Sequence, residues 1–285
     1  MNQYLAVDIG GTKMAAGVVD DEGDIASSRT IPTPKTLDPE AVWHALRSII
    51  DELDISKISA VGVGCGGPMA AAGATVSPLN IPAWREYPLK AVLAAHCGAA
   101  TYLDNDAKAL ALGEGWTGAA RGETNYIAMV VSTGVGGGIV LDGRLLDGAT
   151  GNAGHIGHIV VEPGGRLCKC GARGCVEAEA SGTAIAAITA AHPKDAPLPI
   201  IERTGMMVGR AIAAAANLLD LHLAVVAGSV ALGYGEPFFA AAQRTMDELC
   251  TIEFSRNTVI RPAGLGSRGP LIGAAQVARR QCAET

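Results

Sequence analysis

Leu5-Ala6-Val7-Asp8-Ile9-Gly10-Gly11-Thr12-Lys13 is the stretch that decides the fold of this chain. A buried-strand pattern ends on a carboxylate, a tight glycine turn follows, and residues 14–19 resume as a second strand. Met129-Val130-Val131-Ser132-Thr133-Gly134-Val135-Gly136-Gly137 repeats that order of strand, glycine-rich turn and strand. Each copy then meets a second turn, Asp21-Glu22-Gly23 in one and Leu141-Asp142-Gly143-Arg144 in the other. The pattern predicts a duplicated α/β unit, with two glycine hairpins forming a two-sided phosphate clamp between two domains.

Working outward, a third strand is expected to about Ile31. Asp38-Pro39 reads as a helix N-cap with proline at the first helical position. Val42, Leu46, Ile49, Ile50 and Leu53 supply the apolar stripe of that helix, and residues 58–63 return as a strand. Residues 66–86 are rich in Gly and Pro without a period, which predicts a loop that shapes a cleft rather than core. Helices are expected over 88–96, stopped by Gly98, and over 107–116. Gly118-Ala119-Ala120-Arg121-Gly122-Glu123 predicts a domain boundary, giving domains 1–118 and 119–269.

Composition narrows the class. The 285 residues carry a net charge of −6, which argues against nucleic acid as the main partner. No apolar run approaches the roughly 20 residues of a membrane span. The N-terminus shows no basic n-region, so a cytoplasmic protein is expected. Among seven cysteines, Cys65, Cys97, Cys250 and Cys282 are scattered while Cys168, Cys170 and Cys175 crowd together. An odd count makes a poor disulfide framework, and the triplet points to a metal.

Four clusters carry chemistry. At the first turn, glycine lets the backbone N–H groups of Gly10 and Gly11 approach an oxyanion, Thr12 adds a hydroxyl, Lys13 a charge, and Asp8 a ligand for hydrated Mg²⁺. An ordinary hairpin turn would use the same residues. Thr133 and Gly134 offer the same physics in the second copy. Gly62-Val63-Gly64-Cys65-Gly66-Gly67 satisfies a dinucleotide fingerprint, but Pro68 follows where a helix must start. At Asp104-Asn105-Asp106, one side chain suffices to cap the next helix; a buried carboxylate there would also serve as a general base. Finally, His155 and His158 precede Cys168-Lys169-Cys170-Gly171-Ala172-Arg173-Gly174-Cys175-Val176-Glu177. Three thiolates and one imidazole form the closed ligand set of structural zinc.

In this order the motifs resemble the ROK family of sugar kinases and sugar-responsive repressors, from Asp8 through the zinc segment to Ala227-Gly228-Ser229-Val230. The resemblance implies the actin and hexokinase fold, a ribonuclease H-like pair of α/β domains with ATP and sugar in the cleft, in a homodimer. It also implies that a last helix, within residues 270–285, packs back on the N-terminal domain. By the same resemblance Asp106 is the catalytic base, and Asn105, Glu177, Gly66, Gly67 and Asn80 contact the sugar. Asp8, Gly10, Gly11, Thr12 and Lys13 hold phosphate with Thr133 and Gly134, Gly228 lines the adenosine site, and His158, Cys168, Cys170 and Cys175 bind Zn²⁺, with His158 also bordering the sugar.

Three departures stand out. Lys108 replaces a smaller neutral residue, and Ala227 replaces a frequent glycine. His155 stands where the family's glucokinases carry Glu; the family's bacterial N-acetylmannosamine kinases share the Gly154-His155-Ile156-Gly157-His158 run. Glutamate only accepts hydrogen bonds and suits vicinal hydroxyls, whereas imidazole donates to an acetamido carbonyl. The expected activity is ATP-dependent phosphorylation of the 6-hydroxyl of a 2-acetamido sugar, N-acetylmannosamine first. A glucokinase or other hexose kinase of the family is the alternative, and a non-catalytic sugar-sensing protein a further one. A repressor is disfavoured, because the first phosphate strand starts by Tyr4 and leaves no space for a helix-turn-helix.

Overall fold

The computed structural model describes residues 2–70 and 73–284. The chain divides into two compact units, Met1–Gly118 with Ala149–Gly151 and Leu265–Thr285, and Ala119–Gly148 with Asn152–Gly264. The first unit holds strands β1 (Gln3–Ile9), β2 (Lys13–Asp20), β3 (Ile25–Pro32), β4 (Ile58–Cys65) and β5 (Thr101–Asn105), in the order β3-β2-β1-β4-β5. β1, β2 and β3 are a meander, while β4 and β5 run parallel to β1. The hairpin register pairs Ile9 with Met14, so the turn between them is as tight as its glycines suggest.

Helix α1 (Pro39–Ile50) begins where Asp38 accepts from the Glu40 backbone N–H at 3.0 Å. Its stripe of Val42, Leu46, Ile49 and Ile50 is buried against the sheet. Helix α2 (Leu89–Cys97) ends at Gly98, whose φ of 64° places it in the left-handed region that glycine tolerates best. Helix α3 (Asp106–Thr117) starts directly at the end of β5. The C-terminal helix, α9 (Gly269–Glu284), packs on α3 and β4 within this unit. Small residues permit the approach: a side chain at Gly62 would strike the carbonyl of Ala274, and one at Gly113 would lie 2.9 Å from the Gly273 nitrogen.

The stretch 66–86 corrects one expectation. Residues 71 and 72 lie outside the described residues, but Val76, Ile81 and Trp84 are fully buried in the core of this unit. Trp84 stacks on Tyr87 at 4.7 Å and donates its indole N–H to the Pro39 carbonyl at 3.2 Å. These apolar side chains enter the core from an irregular backbone, so their spacing has no period to detect.

The second unit repeats the sheet plan. Strands β6 (Tyr126–Val131), β7 (Val135–Leu141), β8 (Arg144–Leu145), β9 (Leu223–Ala227) and β10 (Val259–Pro262) lie in the order β10-β9-β6-β7-β8. β6, β7 and β8 form the meander, and β9 and β10 run parallel to β6. Around this sheet are α4 (Val176–Ala180), α5 (Gly182–Thr189), α6 (Leu198–Leu219), α7 (Ser229–Tyr234) and α8 (Glu236–Leu249). Met207, Val208 and Ile212 of α6 share the core with Phe238 and Met246 of α8. Among the described residues, no helix is long and apolar enough to cross a membrane.

Candidate functional site

In the first unit, three parallel strands end in one row. The register sets Asp8 beside Gly64 and Gly64 beside Asp104; one step on, Ile9, Cys65 and Asn105 align. Gly64 leaves space at the centre, where an added Cβ would lie 3.7 Å from the Asp106 Cα and 3.8 Å from an Asp8 carboxylate oxygen. Burial, then the neighbouring Asp106, pushes the Asp8 carboxyl up to about 7, against the pull of Lys13. Burial and the same two carboxylates drive the Cys65 thiol well above its usual range. Paired hard oxygen ligands of this kind are what a divalent cation such as Mg²⁺ takes.

At the helix junction, the Asn105 side chain accepts from the Ala107 backbone N–H at 3.0 Å, and Asp106 accepts from the same N–H at 2.8 Å. Asp104 is half-buried, and Asp106 is exposed at the first residue of α3. A position at the open end of a strand accounts for this, since the carboxylate leaves the sheet before the helix covers it. Asp104 accepts from the Asn105 N–H at 2.8 Å and pairs with Lys108 at 3.1 Å. Lys108 is buried, with 3% of its side chain exposed, and also donates to the Gly151 carbonyl at 3.2 Å. The lysine therefore ties Asp104 into an ion pair at the start of the helix.

The first glycine turn is anchored by Gly10 N–H to the Lys13 carbonyl at 3.0 Å and by the Thr33 hydroxyl to the Gly10 carbonyl at 2.6 Å. Thr12 and Lys13 are exposed, and Gly11 packs so closely on Asn80 that a side chain would strike the Asn80 Cβ. An added Cβ at Gly67 would lie 3.6 Å from the Asn105 amide nitrogen, and one at Gly66 4.0 Å from Asp106 Oδ2. Asp8, Gly11, Asn80, Gly66, Gly67, Asn105 and Asp106 thus all belong to one end of one unit.

In the second unit, the start of α5 grips the other glycine turn. Gly182 donates to the Ser132 carbonyl at 2.7 Å, and the Thr183 hydroxyl to the Thr133 carbonyl at 2.9 Å. Glu177, on α4, accepts from the Val135 N–H, and an added Cβ at Gly134 would lie 3.1 Å from its other oxygen. Burial pushes the Glu177 carboxyl up, although the Val135 N–H pulls it down. Gly228 has φ 102° and leaves no space for a side chain beside the Val131 carbonyl. The Ser132 and Ser229 hydroxyls meet at 2.9 Å. Ser229 and Thr183 escaped the sequence reading, because their partners are long-range backbone and hydroxyl groups that leave no local signal.

The metal-ligand candidates converge. His158 closes a 3₁₀ turn, Ile156–His158, that follows His155, and the two rings lie 6.2 Å apart. In such a turn residues three apart eclipse, so both imidazoles share a face without an α-helix. One ligand atom from each of His158, Cys168, Cys170 and Cys175 lies within 4.8 Å of all the others. The His158 Nδ1 to Cys168 Sγ and Cys170 to Cys175 Sγ separations are both 3.7 Å. Tetrahedral zinc with Zn–S bonds of about 2.3 Å sets its ligands about 3.8 Å apart, so the donor set fits. Gly171 and Gly174, at φ 95° and 76°, make the turns that bring the thiols together.

Comparison with known proteins places the chain in a family. The sequence profile of the ROK family matches residues 4–281. An N-acetylmannosamine kinase from Citrobacter koseri is 37% identical over 250 residues, spanning 81% of this chain and 84% of that one. A glucokinase from Streptomyces coelicolor is 42% identical over 186 residues, spanning 65% of this chain and 58% of that protein. The crystal structure of a ROK family glucokinase from Streptomyces griseus, in complex with glucose and AMPPNP, superposes with a TM-score of 0.84 at 32% identity, covering 98% of this chain and all of that one. The two five-stranded sheets have the actin-like ATPase fold, and the chain belongs to the ROK family.

Proposed function

We propose that this ROK sugar kinase transfers the γ-phosphoryl group of ATP to the 6-hydroxyl of N-acetylmannosamine. The observation that carries the reading is the row of strand ends bearing Asp8, Gly64 and Asp104, with Asn105 and Asp106 at its edge. Asp106 takes the hydroxyl proton as the sugar oxygen attacks phosphorus and the bond to ADP breaks. Its exposure suits a group that must meet substrate. Asn105, Glu177, Gly66, Gly67, Asn80 and His155 orient the sugar. Gly10, Gly11, Thr12 and Lys13, together with Thr133 and Gly134, are assigned to phosphate, and Gly228 to the adenosine. Asp8 would hold Mg²⁺, which would supply neutralisation of phosphate charge, and the protein's own share is mainly positioning. His158, Cys168, Cys170 and Cys175 would hold Zn²⁺ as a closed four-ligand set, whose part would be to shape the loop rather than do chemistry.

The acetamido preference rests on His155, a donor in place of an acceptor. Glucokinase and N-acetylmannosamine kinase relatives match at comparable identity, so a glucose or mannose kinase is the competing reading. A homodimer, a cytoplasmic setting and a domain boundary near residue 118 complete the proposal. ADP release measured over N-acetylmannosamine, N-acetylglucosamine, glucose and mannose tests it. The fastest turnover is expected with N-acetylmannosamine, and turnover with none would remove the kinase reading altogether.

A further inference from the structure

Helix α4, which carries Glu177, has only five residues and cannot hold its own orientation. Two positions on, Glu179 is fully buried, and a buried carboxylate needs partners. It accepts from the Arg166 backbone N–H at 2.6 Å, the Arg166 guanidinium at 2.8 Å and the Arg203 guanidinium at 2.6 Å. Arg203 also donates to the Glu179 carbonyl at 3.1 Å. Burial pushes this carboxyl up, but the Arg166 N–H and the two guanidiniums outweigh it and hold it below its usual range. Gly165 is part of the fit, since a side chain there would strike Glu179.

Arg203 lies on α6, and two turns later on the same face Arg210 pairs with Glu162 at 2.6 Å and donates to the Val161 carbonyl at 2.8 Å. The cysteine-bearing segment is thus tied to α6 at both ends by arginines, separately from its thiols. We infer that Glu179, clamped by Arg203 and Arg166, is a positioning residue that holds α4 so that Glu177 stays on the Val135 N–H beside the glycine turn. This rests on the reading of Glu177 as a sugar ligand. The Arg203 guanidinium grips both the carboxylate and the main-chain carbonyl of Glu179, so it fixes an angle as well as a distance, which suits such a role.

The test is Arg203→Met with Arg203→Lys as the conservative rescue, read first by amide hydrogen exchange without substrate. In Arg203→Met the Val135 amide and those of α4 should exchange about tenfold faster, as for loss of an outer partner that orients a ligand. The amides of β9 should not change. The sugar KM should rise about tenfold, while kcat and the ATP KM stay within about twofold and Lys recovers most of the loss. Should Arg203→Met fail to fold, Arg166→Met removes the more exposed arm and should move the same readouts less far. Unchanged exchange at Val135, or a uniform rise across the second unit with both KM values rising together, overturns the inference. A wild-type chain that phosphorylates no sugar would defeat the kinase reading, and the exchange result would still decide the clamp.

Discussion

Glu177 and Val135, separated by 42 positions in sequence, are joined by a hydrogen bond from the Val135 N–H to the Glu177 carboxylate. The candidate sugar ligand therefore rests on the backbone of the second glycine turn, so that whatever moves α4 also bears on that turn.

Asp106→Asn keeps the shape and the hydrogen bond to Ala107 but cannot take a proton. Its kcat should fall by roughly 10²–10⁴-fold, with much less change in sugar affinity. Steady-state kinetics and sugar titration separate the two; a variant with most of its turnover would move the base to another residue.

Metal analysis of purified protein should find about one zinc per chain, the stoichiometry of a single four-ligand set. Cys170→Ser should loosen the loop that leads to Glu177 and raise the sugar KM more than the ATP KM. Active protein without bound metal would contradict the assignment.

Gly62→Ala tests the packing of α9 on β4. The added methyl meets the Ala274 carbonyl, a backbone atom that moves only with its helix. Overpacking of this kind costs about 1–3 kcal/mol, which denaturant unfolding should show as a lower midpoint. An unchanged midpoint would mean that the helix shifts freely.

Much of this was legible in the sequence because the signals are local. The Asp38-Pro39 start, the Gly98 stop and the hairpin of residues 9–14 each depend on neighbours within a few positions. The sheet repeat was visible only as a pattern of strand and turn, and its identical topology emerged from pairing. The contact of Gly11 with Asn80 and the Glu179 clamp join residues through space. Trp84 enters the core from a stretch without a period. No spacing rule reaches such contacts, and they include most of what positions the candidate site.

The central claim, an acetamido-sugar kinase whose preference is set at His155, is tested most directly by one pair of specificity ratios. These are kcat/KM for N-acetylmannosamine over glucose, measured with ATP in the wild type and in His155→Glu. Facing a carboxylate instead of an N–H donor, the acetamido carbonyl loses its partner. An unpaired polar contact costs about 1–3 kcal/mol, which is roughly one to two decades in kcat/KM. The wild type should favour N-acetylmannosamine, and the variant should lose that activity while glucose turnover holds or rises. A wild type that prefers glucose, or equal losses on both sugars in the variant, would contradict the claim.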